Sequence, residues 1–224
     1  MSRYFAFFLL SVCLMADEGM WTFNNFPAAA VGKKYGFTPD QQWLDRVRLS
    51  SVRLAEGCSS SFVSPNGLLM TNHHCAATCI AQLSTAEKDY MKLGYAAKAE
   101  AEEIRCPRQE ANVLIEISDV TAQMEKAVMG LRDKEAMEAR KAETARLEKA
   151  CATSDAFRCE VVSLYGGGVY NLYKYQRYQD VRLVFAPEFA IAFFGGDPDN
   201  FMFPRFNLDA TFLRVYENGR PLRT

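Results

Sequence analysis

The stretch that decides the fold is Cys58-Ser-Ser-Ser-Phe-Val-Ser-Pro-Asn-Gly-Leu-Leu-Met-Thr-Asn-His-His-Cys75. Two runs that change from polar to apolar flank Pro65-Asn66-Gly67, where Pro fixes φ while Asn and Gly tolerate positive φ. The stretch therefore predicts a β-hairpin. A reversal centred between Asn66 and Gly67 places Cys58 opposite Cys75, and such a register favours a disulfide between neighbouring strands.

The only two histidines of the chain, His73 and His74, come immediately before Cys75. A histidine acts as a general base when a carboxylate holds one ring nitrogen and a nucleophile faces the other. Two structural histidines that cap a strand are the plainer alternative. A zinc site formed by His73, His74, Cys75 and Cys79 is another, but consecutive ligands converge poorly on a tetrahedral ion. We therefore expect no metal and no other cofactor.

The composition is typical of a globular protein without a bias toward polyanionic partners. Apolar residues make up 49% of the 224 residues, and 26 basic residues balance 27 acidic ones for a net charge of -1. The chain is long enough to bury a sizeable core in one large domain or two small ones. Its charge indicates neither nucleic acid nor an anionic membrane as a partner.

The amino terminus has the layout of a secretory signal. An apolar run over residues 4–14 follows Arg3, and Ala16 supplies a small residue before the polar onset at Asp17. The run is too short to span a bilayer, so we predict a signal peptide over residues 1–16 and a mature segment over residues 17–224. A buried first strand and a lipid-attachment site at Cys13 are the less favoured alternatives. We expect a periplasmic, cell-surface or secreted protein, with no membrane contact once the signal is removed.

Six cysteines follow the predicted signal, an even number that indicates disulfides in an exported chain. Their connectivity is open, because six cysteines can pair in many ways. Proximity in the sequence favours three pairs, of which only the first has an argument beyond proximity: Cys58 with Cys75, Cys79 with Cys106, and Cys151 with Cys159.

The remaining pattern predicts a mainly β fold with helical insertions. Thr38-Pro39-Asp40 is typical of a helix start, and residues 85–94 resemble a short helix that ends at Gly94. Residues from about 120 to 150 are rich in Ala, Glu, Lys and Arg and predict one long, solvated helix. Alternating or β-branched runs predict strands over residues 111–117, 160–164, 170–178, 180–186 and 210–216.

Residues 62–75 look like the corresponding segment of the bacterial dipeptidyl-peptidases 7 and 11, which are chymotrypsin-like serine exopeptidases. Asp17-Glu-Gly-Met-Trp21 and Gly195-Gly-Asp-Pro-Asp-Asn-Phe-Met-Phe-Pro-Arg205 also match that family, in the same order. The resemblance therefore spans nearly the whole chain. It implies a chymotrypsin-like β-barrel, namely the first barrel of a double-barrel serine peptidase.

The resemblance also assigns a catalytic pair. His74 matches the catalytic histidine by its position before Cys75. Asp197, Asp199 and Asp209 are the candidate partners, and Asp209 matches the family's aspartate because it precedes a hydrophobic strand. The first two aspartates lie in a Gly- and Pro-rich loop, where Asp also serves as a turn former.

A substrate-binding pair is implied in the same loop. Asn200 matches the family's asparagine that anchors the substrate's amino group, and Phe201 beside it could wall the pocket. Phe206-Asn-Leu208 departs from the family's His-Thr-Gly, which puts the hydrogen bonding around Asp209 in question.

The chain lacks a Gly-x-Ser-x-Gly or Gly-Asp-Ser-Gly motif, and the run Ser59-Ser-Ser61 lies inside a predicted strand. In the family, the nucleophilic serine belongs to the second barrel. The resemblance therefore implies the histidine- and aspartate-bearing half of a larger enzyme, which releases dipeptides from oligopeptides with a free N-terminus and forms a homodimer. The alternative is a non-catalytic peptide-binding module that kept the barrel and lost the nucleophile.

Overall fold

The computed structural model describes residues 19–193 and 206–224, which divide into two compact units at Asp40 and Gln41. The described part of the first unit has a short 3₁₀ helix, Phe23–Asn25, and helix α1, Ala28–Tyr35. Helix α1 ends at Gly36, whose φ of 69° lies in the left-handed region. The predicted signal peptide lies outside the described residues.

The second unit is built mainly of strands, with helices inserted between them. Its strands are β1 (Ser51–Leu54), β2 (Ser59–Phe62), β3 (Leu68–Thr71), β4 (Tyr95–Ala96), β5 (Ile104–Arg105), β6 (Ala111–Asp119), β7 (Phe157–Leu164), β8 (Val169–Tyr178), β9 (Asp180–Ala186), β10 (Thr211–Glu217) and β11 (Arg220–Pro221). Its helices are α2 (Gln41–Ser50), α3 (His73–Leu83), α4 (Tyr90–Leu93), α5 (Thr121–Val128), α6 (Asp133–Cys151) and α7 (Phe189–Ala192). Two short 3₁₀ segments, Glu100–Glu102 and Tyr165–Gly167, complete the described elements.

The strands form one antiparallel sheet in the order β4-β9-β10-β3-β2-β1-β6-β8-β7, with β11 beside β10 and β5 beside β9. The mainly β fold with helical insertions is thus confirmed. Among the described residues the pairings run as an open series from β4 to β7, so they do not by themselves establish a closed barrel.

A single buried cluster joins strands that are far apart in this order. Val113 of β6 and Leu183 of β9 both belong to it, together with Ile80 of α3. Alternate residues of the strands supply one apolar face, as the pleat requires. Helix α3 packs on that face, and this packing positions its first turn at the end of β3.

The hairpin between β2 and β3 forms, but its register differs from the predicted one. Ser61 pairs with Met70, whereas a reversal centred on Asn66 and Gly67 places it opposite Asn72. The reason is a four-residue loop that Ser64 organises: its Oγ accepts hydrogen bonds from the N–H groups of Asn66 and Leu68, at 3.2 and 3.3 Å.

The disulfide between Cys58 and Cys75 is therefore not a cross-strand link. Strand β3 ends at Thr71, and Cys75 lies in the first turn of α3. The bond joins the chain entering β2 to the start of that helix. The structure also bonds Cys79 to Cys106 and Cys151 to Cys159, which is the pairing that proximity favours.

The segment predicted as one long helix consists of two. Helices α5 and α6 are separated near Gly130, whose φ of 75° is incompatible with a continuing right-handed helix. Met124 and Leu147 come together in a second, smaller core beside β7 and β8. The break therefore lets each helix bury an apolar residue in that core.

The other predicted elements are present with shifted ends. The five strands predicted beyond residue 110 correspond to β6 to β10, with ends displaced by at most three residues. Helix α2 begins at Gln41, just after the predicted start. The predicted helix over residues 85–94 is reduced to α4, Tyr90–Leu93, and Gly94 caps its C-terminal end as expected.

Gly67 offers a direct test of this hairpin. Its φ is 66°, and a Cβ built there would lie 2.9 Å from the backbone oxygen of Val215. We expect Gly67→Ala to lower the free energy of unfolding by about 2–4 kcal/mol, because left-handed strain and overpacking add. Gly57→Ala is the matched control: its φ is 90°, but nothing lies within 4 Å of the added Cβ. Chemical denaturation that gives equal losses for both variants would contradict the observed packing of the loop against β10.

Candidate active site

The candidate site lies where strand β3 passes into helix α3. Asn72 is the junction, with extended backbone angles of φ -75° and ψ 151°. Ala76, Ile80 and Leu83 recur at helical spacing and face the core, which fixes the orientation of the helix. Its second residue, His74, is consequently presented at the surface.

Asp209 reaches the same place from the neighbouring strand. It precedes β10, which pairs antiparallel with β3 so that Thr211 lies opposite Thr71. The start of β10 and the end of β3 therefore coincide at one edge of the fold. The sheet register, rather than proximity in the sequence, brings the aspartate to the histidine.

His74 and Asp209 form a close hydrogen-bonded pair. Nδ1 of His74 lies 2.7 Å from Oδ2 of Asp209, and the backbone N–H of His74 donates to Oδ1 at 3.1 Å. A carboxylate only accepts, so this contact favours the tautomer with the proton on Nδ1 and the lone pair on Nε2. The Asp209 side chain is 8% exposed and that of His74 is 46% exposed. The imidazole is thus accessible while the group that orients it is buried.

Asn72 is a third member of the site that the sequence reasoning did not single out. Its Nδ2 donates to the backbone oxygen of Asp209 at 3.1 Å and to Oδ2 at 3.2 Å. The available signal was its place inside the Thr-Asn-His-His motif. Its partner, however, is 137 residues away in the chain.

His73 occupies a different environment from its neighbour. It is fully buried, and its ring packs edge-on against those of Phe189 and Phe193, at centroid distances of 6.1 and 6.4 Å. Among the described residues, neither ring nitrogen makes a hydrogen bond of ordinary geometry. Burial is the largest effect and lowers the pKa of His73. The charge of Asp209 and the Pro187 backbone oppose it in part, and the charge of His74 adds a smaller lowering. The two histidines therefore divide into a core residue and a surface residue.

Two of the four residues considered as zinc ligands, Cys75 and Cys79, are bonded in disulfides. Within the described part of the chain, the one cluster of possible metal ligands joins His74 to Cys58 and Cys75, with ligand atoms within 4.8 Å of one another. The two sulfurs are bonded to each other, and Cys79 is bonded to Cys106. A disulfide sulfur is not the thiolate that zinc requires, which disfavours this set as a metal site.

Several predicted site residues lie outside the described residues, namely Asp197, Asp199, Asn200 and Phe201. The segment that departs from the family pattern is described from Phe206 onward. The N–H of Leu208 donates to the backbone oxygen of Ile191 at 3.0 Å, which ties this segment to α7. The Asp209 carboxylate thus finds partners in Asn72 and His74 despite that departure.

The serine run lies on β2, as predicted, and the hydroxyls of Ser60 and Ser61 donate to backbone carbonyls. Ser60 Oγ donates to the carbonyl of Met70 at 2.9 Å, and Ser61 Oγ donates to that of Phe62 at 3.3 Å.

No helix in the described part of the chain combines the length and apolar character needed to cross a bilayer.

A histidine whose Nδ1 faces a buried carboxylate has the geometry of the base and its orienting group in triad hydrolases, which occur on several unrelated folds. The sequence profile of the family Peptidase S46 matches residues 16–223. The chain belongs to that peptidase family.

Its relatives are bacterial peptidases of greater length. Dipeptidyl-peptidase 7 of Porphyromonas endodontalis is 35% identical over 227 residues, an alignment that covers 94% of this chain and 28% of the relative. The Asp/Glu-specific dipeptidyl-peptidase of Porphyromonas gingivalis is 32% identical over 239 residues, covering 97% of this chain and 32% of the relative. The chain thus spans about a third of the length of the relatives it matches.

The fold matches solved structures of the same family. DPP11 of Porphyromonas endodontalis, crystallised in an alternate conformation, superposes with a TM-score of 0.79 at 30% identity, covering 93% of this chain and 33% of that one. Its complex with the dipeptide Arg-Glu gives a TM-score of 0.76 at 30% identity, with coverage of 93% and 32%. The resemblance read from three sequence motifs is confirmed by these matches.

The burial of His73 predicts a pH-dependent contribution to stability. The unfolded chain takes up a proton on this histidine near pH 6.5, whereas the folded protein does so only at lower pH. The stability that the neutral His73 contributes is therefore fully present above about pH 6.5 and is lost as the pH falls through and below that value. We expect His73→Phe to flatten this decline, measured as the free energy of unfolding against pH.

His73→Gln serves as the control for packing. It also removes the titrating group but fills the site differently, so it should change the pH slope as His73→Phe does while differing in absolute stability. Parallel profiles for all three proteins would contradict the assignment of His73 as a buried, neutral histidine.

Proposed function

We propose that this chain is the histidine- and aspartate-bearing half of a serine dipeptidyl-peptidase, with His74 as the general base and Asp209 as its orienting group. The observation that best supports this role is the 2.7 Å contact between His74 Nδ1 and Asp209 Oδ2, which combines an exposed imidazole with a buried carboxylate. This arrangement leaves Nε2 to take a proton from an attacking hydroxyl.

In the proposed reaction, a serine outside this chain attacks the second peptide bond of the substrate. His74 accepts the hydroxyl proton through Nε2 and then delivers it to the leaving amine, so the acyl-enzyme forms with protons in balance. A water molecule repeats the cycle to release the dipeptide. Asp209 keeps the productive tautomer and stabilises the imidazolium that forms in each step.

The substrates that we propose are oligopeptides with a free N-terminus. The relatives are named dipeptidyl-peptidases, one of them Asp/Glu-specific, and one related structure holds the dipeptide Arg-Glu. The proposal for this chain goes no further than the class, because the chain covers only about a third of these proteins. Export through the signal over residues 1–16 and homodimerisation of the full-length enzyme belong to the same proposal.

We further propose that the antiparallel sheet is the first barrel of a double-barrel peptidase. The approach of β8 to β10 supports this idea: Cα atoms of the two strands come within 8 Å of each other although four strands separate them in the sheet order, as a curled sheet allows. A curled sheet with His74 and Asp209 at its rim would present both groups to a second barrel that carries the serine.

The first test is His74→Ala in the full-length enzyme. We expect kcat on a dipeptidyl substrate to fall by roughly 10⁴ to 10⁶, since the base is lost. Asp209→Asn should cost about 10⁴ because the wrong tautomer is held. His73→Ala should reduce kcat far less, although it lowers stability. The reverse order of the two histidine effects would mean that the base is misassigned.

The same measurement separates the enzyme from a non-catalytic peptide-binding module. A module binds peptides with a free N-terminus but gives no turnover in the wild-type protein. Turnover that disappears in His74→Ala, while the variant retains peptide binding and its thermal midpoint, supports the enzyme.

The second test concerns Asn200, which lies outside the described residues and is assigned from the family resemblance. An ammonium offers only donors, so the site that anchors it needs a rigid acceptor such as an amide oxygen. We expect Asn200→Ala to weaken kcat/KM for free peptides by about 1–3 kcal/mol. N-acetylated peptides should be poor substrates from the outset and should show almost no change. Equal losses on free and blocked peptides would assign Asn200 to loop structure alone.

A further inference from the structure

We propose that Asn72 is a positioning residue for His74, which acts by holding the Oδ2 atom of Asp209 that the imidazole also uses. The inference rests on the proposed function of the His74 and Asp209 pair.

The geometry fixes the chemical identity of the Asn72 contact. The amide group approaches two atoms of Asp209, the backbone oxygen at 3.1 Å and Oδ2 at 3.2 Å. Both atoms are acceptors, so only the NH₂ end of the amide can face them favourably. Asn72 is therefore a donor that shares Oδ2 with Nδ1 of His74, which lies 2.7 Å from the same atom.

Asn72 does not perform the capping role that its position suggests. It precedes the first residue of α3, where asparagine commonly accepts a hydrogen bond from a backbone N–H of the first turn. Its side chain makes no such bond. Instead, Oδ1 of Asp209 accepts from the backbone N–H of His74 at 3.1 Å. Asp209 thus caps the helix from the neighbouring strand, and the amide of Asn72 is directed to the aspartate.

The backbone around Asn72 is held firmly enough to make this contact directional. Thr71, the preceding residue, pairs with Thr211 at the start of β10, and its Oγ1 donates to the Ser59 carbonyl at 2.9 Å. The carbonyl of Asn72 accepts from the N–H of Cys75, which is bonded to Cys58. The side-chain amide of Asn72 therefore contacts Asp209 from a backbone that is held in place.

A second donor on Oδ2 has a defined chemical effect. It withdraws negative charge from the oxygen that faces His74 and restrains rotation of the carboxylate. With one donor fewer, the carboxylate attracts the imidazolium more strongly, because a nearby opposite charge stabilises the charged form. The free enzyme would then lose its neutral base at a higher pH, and the orientation of the imidazole would be less well defined.

The experiment compares Asn72→Ala and Asn72→Asp in the full-length enzyme. We expect each to lower kcat by about 10–100-fold and to move the acid limb of kcat/KM to higher pH. Asn72→Asp should shift the limb at least as far, because it replaces a donor with a second negative charge. A helix-capping role predicts the opposite order, since aspartate is as good a cap as asparagine and alanine is a poor one.

A second measurement does not depend on activity. Diethyl pyrocarbonate modifies neutral imidazole, so its rate of reaction with His74 reports the neutral form as a function of pH. Peptide mass spectrometry follows the reaction, and fragmentation distinguishes His74 from His73. Both Asn72 variants should shift this profile in the direction of the kinetic acid limb. Asn112→Ala is the matched control, because the buried Asn112 amide also donates to a backbone carbonyl, that of Arg53 at 3.3 Å. It should leave both pH profiles unchanged.

The outcomes distinguish this inference from the proposed function. If Asn72→Asp retains the wild-type rate and both pH profiles, or if Asn112→Ala shifts them equally, the positioning role is overturned while loss of activity in His74→Ala still supports the peptidase. If His74→Ala retains turnover, the proposed function itself is wrong, whatever pH profiles the Asn72 variants give.

Discussion

The carboxylate of Asp209 is the point on which the candidate site depends. It joins the start of β10 to the start of α3 through the side chain and backbone of His74 and through the amide of Asn72. A carboxylate with only 8% of its side chain exposed is costly unless donors surround it. Among its donors, the Asn72 amide and the side chain and backbone N–H of His74 lie where β3 passes into α3, so the carboxylate also organises that junction.

The rest of the fold keeps these partners in register. Two disulfides, Cys58 with Cys75 and Cys79 with Cys106, hold α3 along its length, while Ile80 is fully buried beneath it. Catalytic constellations require supporting residues that hold them to within a fraction of an ångström. Covalent links on a helix whose second residue is His74 provide that support without placing any flexible segment between this histidine and the core.

Strand β10 is held at its far end by a second buried carboxylate. Glu103, 7% exposed, accepts hydrogen bonds from Arg214 Nε at 2.9 and 3.1 Å and from the Tyr216 hydroxyl at 2.9 Å. Burial, followed by the contact with Glu103, raises the pKa of Tyr216 to about 12. Since Asp209 precedes this strand, the network helps to keep its register against β3 and so keeps the aspartate beside the histidine.

The sequence by itself determined the class of fold and the strand runs beyond residue 110, because alternation and turn residues are local signals. The candidate pair of His74 and Asp209 came from the resemblance of its motifs to the peptidase family. The sequence could not determine the hairpin register, because the Ser64 hydroxyl organises the loop. Nor could it determine the break at Gly130, because burial of Met124 and Leu147 in a shared core favours two helices. Nor could it show that His73 is a core residue, because the packing of His73 against Phe189 and Phe193 is a tertiary contact. The contact of Asn72 with Asp209 was likewise decided by tertiary structure, because pairing of β3 with β10 brings together residues that are distant in the chain.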